Sequence, residues 1–263
     1  MKKIVIIGGG IAGLSAGIFA QKNGFESTIL EKHHTTGGEC TGWDRRGYHI
    51  DGCIHWLVGT KEGTSIRESW DTVGALDGVE IYEPESFMAV EHEGVTVHFY
   101  RDLNRLKSSW LEISPEDKVA IEEFCNDIGK LHTFTFPVGK PLDIMSIIEK
   151  VKYVLSMKDI SPIMQKYSKL SVQDLAGKLK LLDVAGPQTY NRYCNAYRGA
   201  FMAFWPTLKG KQLAHSGQIR GLDNLVLSGQ WLQPPGGLPI ALITGKDTIM
   251  RLCRKLKKEF SAA

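Results

Sequence analysis

The pattern that most constrains this chain is six residues long and lies near its start. Gly8-Gly9-Gly10-Ile11-Ala12-Gly13 fits G-x-G-x-x-G, with Gly8, Gly10 and Gly13 at the fixed positions. A short β-branched run, residues 3–7, precedes it, as a buried parallel strand should. Residues 14–23 read as a helix closed by Gly24, and residues 25–30 as a second strand with Glu31 at its end. Each glycine has a separate task. Gly8 permits the tight turn, Gly10 lets a pyrophosphate approach the backbone, and Gly13 lets helix and strand pack closely. The N–H groups of the first helical turn, at Ile11, Ala12 and Gly13, then face the anion. Glu31 is placed to accept hydrogen bonds from a ribose 2′-hydroxyl, with Lys32 beside it, and its charge opposes a 2′-phosphate. The bland alternative is a structural turn in an ordinary α/β protein. It leaves the spacing of the helix, the capping glycine and the acid unexplained.

The same segment has a second reading. Met1-Lys2-Lys3 ahead of the apolar residues 4–20 resembles a secretory leader. That stretch holds five glycines, and strand, turn and helix account for each of them.

Composition agrees with a folded protein. Hydrophobic residues make up 43% and charged residues 23%, which excludes a disordered chain. The net charge of +3 is too small to argue for nucleic acid. Five widely spaced cysteines, an odd number with no C-x-x-C, read as reduced thiols of a cytoplasmic protein. Glycine is the outlier: 28 of 263 residues, against a usual ~7%. The excess gathers at residues 8–63 and 210–245, flanking a stretch with few glycines.

The next motif separates flavin from nicotinamide. After Glu31-Lys32 comes Gly37-Gly38-Glu39-Cys40, and then Gly47-Tyr48-His49-Ile50-Asp51-Gly52. The glycine pair resembles the extended flavin fingerprint of the FAD-dependent amine oxidase and phytoene desaturase superfamily. Gly-Tyr-x-x-Asp-Gly is similar to its carotenoid desaturase, carotenoid isomerase and retinol saturase branch. Near the other end, residues 221–229 read as a turn, a buried strand and a glycine stop. Gln230, Pro234, Gly236, Gly237, Leu238 and Pro239 follow, and residues 240–258 read as a helix. A glycine-rich turn before a helix N-terminus is again an anion site. The resemblance implies that Gly229, Gln230, Gly237 and Leu238 close on the flavin. Two departures stand out. The family's Arg after the glycine pair is here Glu39, and its C-terminal acid is here Gln230. Both weigh against amine oxidation more than against FAD.

The resemblance implies an α/β fold: a Rossmann-like FAD-binding domain, a parallel sheet with flanking helices, plus an inserted, mostly helical lobe with a β-hairpin. Residues 1–60 and 217–263 would form the discontinuous dinucleotide domain. Residues 61–216 would form the helix-rich substrate or cap lobe. Within it, residues 87–91 and 96–100 read as the hairpin, and Ser114 as the N-cap of a helix continuing through Ile121, Phe124, Cys125 and Ile128. Residues 143–157 and 171–182 read as two further amphipathic helices. The family is roughly twice this length, and the chain reads as internally shortened near residues 180–186.

Flavin chemistry asks little of side chains, because the cofactor carries the hydride. The resemblance places Glu39, Cys40, His55 and Trp56 nearest the flavin. For His55 and Trp56 a packed core histidine and indole is the alternative. His33, His34, Cys40, Cys53 and His55 match no compact zinc spacing. Tyr190, Tyr193, Tyr197, Phe201 and Phe204 lie at helical spacing, as core packing or as an apolar channel. Helices between residues 140 and 180 interleave Ile, Met and Leu with Lys, which fits a solvated face or a peripheral membrane contact. Arg251, Arg254, Lys255, Lys257 and Lys258 read as partners of a helix dipole. The expected protein is an FAD-dependent oxidoreductase acting on a small apolar, carotenoid-like or other lipid substrate. The alternatives are a shortened, catalytically inactive member acting as a binding partner, and an NAD-linked dehydrogenase.

Overall fold

A computed structural model describes residues 2–40, 42–51, 56–134, 139–169, 214–234 and 236–262. The expected helix at 171–182, the shortening near 180–186, the Tyr190–Phe204 stripe, Cys53 and His55 lie outside the described residues. The chain divides into two compact units: Met1–Val79, Phe136–Lys150 and Phe201–Ala263 form the first, Glu80–Thr135 and Val151–Ala200 the second.

In the first unit, strands β1 (Lys3–Ile7) and β2 (Glu26–Leu30) pair in parallel, from Lys3 opposite Glu26 to Ile7 opposite Leu30. Helix α1 (Ile11–Lys22) connects them, and α7 (Gly237–Lys255) packs along α1. This is the Rossmann-like α/β arrangement expected from the glycine motif. The core joins Ala16, Phe19, Ala20 and Phe25 to Ile249 and Cys253, with Ile4 and Ile6 packed against it. Small residues permit the close approach. A Cβ on Gly17 would meet Ile29 Cδ1 at 2.9 Å. Ser15 Oγ donates to Leu242 O at 2.6 Å across the two helices. Asn23 caps the end of α1: its amide donates to Phe19 O and Ser261 O, both at 2.8 Å. Gly24 follows at φ 66°, as a helix-ending glycine should.

Two expectations need correction here. β1 reads from sequence as a buried strand, yet its burial alternates. Ile4 and Ile6 face the helices, while Val5, Ile7 and Leu30 are exposed. The described sheet has two strands and carries α1 on one face only. The buried strand expected within residues 221–229 is not a strand. Its one bridge joins Val226 to Gln218, and Leu222, Leu225, Val226 and Leu227 are exposed. Among the described residues no strand ladder lies beside this segment.

A second pairing, β3 (Gly42–Arg45) with β4 (Tyr48–Asp51), turns through Arg46 (φ 52°) and Gly47 (φ 82°). Both central residues at positive φ define the tight hairpin turn that matches strand twist. The short helix α2 (Ser65–Thr72) is capped by Thr64, whose hydroxyl accepts from Arg67 N at 3.3 Å. Arg251 reaches from α7 to Asp143 with two 2.8 Å bonds. Arg254 donates to Asp143 O, Lys255 to Asp223 O, and Lys258 to Asn23 O. These cations tie specific segments down, beyond complementing a dipole.

The second unit opens with the expected hairpin, β5 (Ser86–His92) and β6 (Val95–Tyr100), turning through Glu93 and Gly94 at φ 48° and 79°. Helices α3 (Leu103–Ile113) and α4 (Lys118–Thr133) share a core of Leu106, Ile121 and Cys125. Asp102 caps α3, accepting from Arg105 N at 2.7 Å. Ser114 does not cap through its side chain. Its hydroxyl donates to Asp117 at 2.8 Å, within a 3₁₀ turn (Pro115–Asp117) that leads into α4. Helix α5 (Ile147–Ser156) runs from the first unit, which holds its residues up to Lys150, into the second; it begins later than residue 143, after a 3₁₀ turn at Leu142–Ile144 that belongs to the first unit. Helix α6 (Ser161–Ser168) follows it. Asp127 on α4 holds α6 in this unit: its Oδ2 receives Lys166 Nζ at 2.5 Å and the Tyr167 hydroxyl at 3.1 Å.

Candidate dinucleotide site

The site is built in the first unit where β1 meets α1. Gly8 turns the chain at φ 105°, and a Cβ there would point into open space. A Cβ on Gly13 would run into the Gly8 carbonyl, so the helix can start this close to the strand only with glycine. Helix α1 begins with no side-chain cap and no acid in its first turn. Its dipole end at Ile11, Ala12 and Gly13 is therefore not neutralised by a side-chain cap or a first-turn acid, the condition under which a helix start can receive an anion.

The second glycine pair comes against the first loop. Gly37 N donates to Gly9 O at 2.8 Å, and Gly10 and Gly37 form a parallel bridge. A Cβ on Gly38 (φ 61°) would stand 3.1 Å from Gly10 Cα. Two backbones come together here: a side chain at Gly38 would press on Gly10, whereas a Cβ on Gly10 would meet Gly38 Cα at an ordinary 3.8 Å.

Glu31 sits at the rim, held in place by the backbone. Its Oε2 accepts from Gly9 N at 2.6 Å and its Oε1 from His33 N at 2.8 Å. The His33 and Gly9 N–H groups hold its pKa below the usual glutamate value. It stays an anionic acceptor, the state a ribose hydroxyl requires. Lys32 is exposed beside it.

Sequence reasoning brought the C-terminal glycines to the same place through resemblance, and the structure supplies a link. Gln230 Nε2 donates to Glu39 Oε2 at 3.0 Å, and Gln230 Oε1 accepts from Gly237 N at 2.9 Å. One amide thereby joins the loop after the glycine pair to the start of α7. Gly236 and Gly237 take φ 86° and 81°, and α7 begins with no cap from its own N-cap residue. Leu238 occupies its first turn. Gly229, at φ 152°, is gripped by Thr244, whose hydroxyl accepts from Gly229 N at 3.1 Å. Cys40 is partly buried next to Glu39, and Trp56 is exposed in this unit.

Three polar residues of α7 were not anticipated. Thr244, Lys246 and Asp247 are all buried. Burial lowers the Lys246 pKa and pushes Asp247 up to about 6. Asp247 Oδ2 accepts from Gln233 at 3.4 Å, while Oδ1 has no partner among the described residues. The available signal was a polar Thr-Gly-Lys-Asp-Thr stretch interrupting an otherwise apolar helix face. Among the described residues no group of three or more His, Cys, Asp or Glu side chains is arranged to hold a metal ion. His33 bonds Thr35 Oγ1 at 2.9 Å, and its ring lies against that of His34, tilted by 39°.

Residues 6–73 match the NAD(P)-binding Rossmann-like domain family. The chain is 24% identical over 162 residues to 4,4'-diaponeurosporene oxygenase of Staphylococcus haemolyticus, covering 58% of this chain and 30% of that protein. It is 33% identical over 90 residues to all-trans-retinol 13,14-reductase of Homo sapiens, covering 34% of this chain and 15% of that one. Over 109 residues it is 28% identical to phytoene desaturase of Fusarium fujikuroi, covering 41% of this chain and 19% of that enzyme. The chain thus matches less than a third of the length of each of these relatives.

Proposed function

We propose that this chain, which belongs to the carotenoid desaturase and amine oxidase-like superfamily, binds FAD in the paired glycine cradle. We infer that it acts as an oxidoreductase, moving a hydride from or to a C–C bond of a small apolar substrate. The observation that carries this reading is the convergence of three backbone features in one unit. They are the uncapped start of α1, the Gly10–Gly38 contact, and the start of α7 tied to Glu39 through Gln230. The residues present fit the cofactor. Open space lies where a Cβ on Gly8 or Gly229 would project, and Glu31 is held as an anion at the rim. In this assignment the α1 N–H groups and Gly10 hold the diphosphate, Glu31 takes the adenosine ribose, and Gly229, Gln230, Gly237 and Leu238 approach the flavin side. Bound flavin supplies the hydride chemistry. The protein's share is to orient it and keep the site dry, with Glu39, Cys40 and Trp56 as the described candidates nearest the reacting ring.

The short match to each relative favours a second reading, a catalytically inactive member that binds nucleotide or a partner without turnover. Titrating FAD and NAD against the purified chain separates the readings. A yellow protein that releases FAD on denaturation supports the first, and Glu31→Gln should weaken that binding about tenfold, the loss of a charge-assisted hydrogen bond worth ~1.5 kcal/mol. A colourless chain that cannot be reconstituted with FAD would sink it. FAD retention with no reduction by any apolar polyene favours the second reading, and NAD binding in place of FAD favours a nicotinamide-linked dehydrogenase.

A further inference from the structure

Helix α5 carries its apolar face outward. Ile147, Ile148, Val151, Val154 and Leu155 are between 53% and 81% exposed. The residues of this helix that are partly buried are Glu149 and Tyr153. At about 100° per residue, the five exposed apolar side chains fall in one sector of roughly 120°, and Glu149 and Tyr153 lie on the opposite side. A helix packing on its own protein core does the reverse.

Charge frames this face. Lys150 and Lys152 are exposed, one beyond each edge of the apolar sector by roughly 40°. The helix has one acid, Glu149, on the far side. Its carboxylate is occupied by Lys140 Nζ at 2.9 Å and Ser146 N at 2.6 Å. The exposed sector is therefore apolar in the middle, cationic at both rims and without an acid.

We propose that α5 is an interfacial membrane helix that docks this protein on anionic lipid. The apolar sector enters the boundary between headgroups and acyl chains, and Lys150 and Lys152 meet the lipid phosphates and carboxylates. Amphipathic helices with basic flanks bind membranes in this manner, and anionic lipid adds attraction for each lysine. No described helix is long and apolar enough to cross a bilayer, so the contact is interfacial. A second copy of the chain suits the face less well, because two such faces would set lysine rim against lysine rim. The inference stands apart from the cofactor assignment, since α5 contributes no residue to the glycine cradle.

The test is flotation of the full chain with phosphatidylcholine vesicles, with and without phosphatidylserine. Binding is expected with phosphatidylserine present, and it should weaken as salt screens the lysines. Replacing both rim lysines, Lys150→Gln with Lys152→Gln, should lower the partition coefficient about 25-fold, at about fivefold per lysine. Val151→Ser with Leu155→Ser should abolish binding while the circular dichroism stays unchanged, because both side chains are exposed. The proposal fails if the native chain does not float with anionic vesicles, or if either double variant floats as well as the native chain. A concentration-dependent dimer in sedimentation velocity that Leu155→Ser dissolves also overturns it, assigning the face to a second copy.

Discussion

Gly245 lies where α7 crosses α1, and replacing it with alanine tests the closeness of that crossing. A Cβ there would stand 2.5 Å from Ala12 O and 2.8 Å from both Cβ and Oγ of Ser15. Favourable carbon contacts begin near ~3.5 Å. None of the three atoms can swing aside. Two belong to the backbone or stub of α1, and Ser15 Oγ is committed to Leu242 O at 2.6 Å. Overpacking of this kind costs ~1–3 kcal/mol, and immovable neighbours argue for the upper end. Against it stands a gain of about 1 kcal/mol, because alanine is the better helix former. The net expectation is a loss of about 2 kcal/mol. Gly129 in α4 is the matched control. Among the described residues a Cβ there meets Leu103 Cδ1 alone, at 3.6 Å, an ordinary contact. Gly129→Ala should therefore keep the helix gain and stabilise its unit by about 1 kcal/mol. Urea unfolding followed by circular dichroism reads both, and melting should fall by roughly 4–8 °C for Gly245→Ala. If Gly245→Ala matches or exceeds the native protein in stability, the α1–α7 approach described here is wrong.

Asp247 gives a pH signature. Burial raises its pKa to about 6 in the folded protein, against about 3.9 when unfolded. The folded state then holds a proton that the unfolded state lacks. This contribution is full below about pH 4 and is lost as pH rises through about 6, some 3 kcal/mol in all. Asp247→Asn should remove that slope and raise the urea midpoint at pH 7. In the second unit, Lys166→Met strands the buried Asp127 carboxylate and should cost about 3 kcal/mol. In the native protein burial pushes the Asp127 pKa up, but the Lys166 and Tyr167 bonds outweigh it and leave the pKa lowered, so its stabilisation fades as pH falls. In Lys166→Met the sign should reverse, with the variant gaining stability toward acid in a pH series of unfolding curves. Gln230→Glu should cost about 1 kcal/mol at neutral pH by setting a second carboxylate against Glu39. Adding Glu39→Gln should restore it in a double-mutant cycle of unfolding free energies.

The sequence exposed the elements that local rules define. Gly8, Gly10 and Gly13 fixed a strand, a turn and a helix because each glycine answers a steric demand within a few residues. The Glu93-Gly94 turn was legible for the same reason, and Arg46-Gly47 offered the same signal without being read as a turn. Misreadings came where burial depends on distant partners. Residues 4–7 and 225–227 are both uninterrupted apolar runs. Whether such a run becomes a two-sided strand, a one-sided strand or exposed chain is set by what packs beside it, and periodicity over five residues does not encode that. The polar residues of α7 were hidden likewise. Lys246 and Asp247 look like solvated helix residues until the chain's other segments bury them.

The candidate site shows the limit in its sharpest form, at Glu39 and Gln230. Taken singly, each is a departure from the family pattern, an acid for an arginine and an amide for an acid. They lie 191 residues apart, yet the amide nitrogen of one reaches the carboxylate of the other at 3.0 Å. The same amide must also accept the Gly237 N–H. A carboxylate at position 230 could accept that N–H but could not donate to Glu39, and two ionised acids would repel. Glutamine is the side chain of similar reach that does both. Once Glu39 stands in the glycine-pair loop, the amide at 230 follows from hydrogen-bond chemistry, and the two exceptions become one compensated pair.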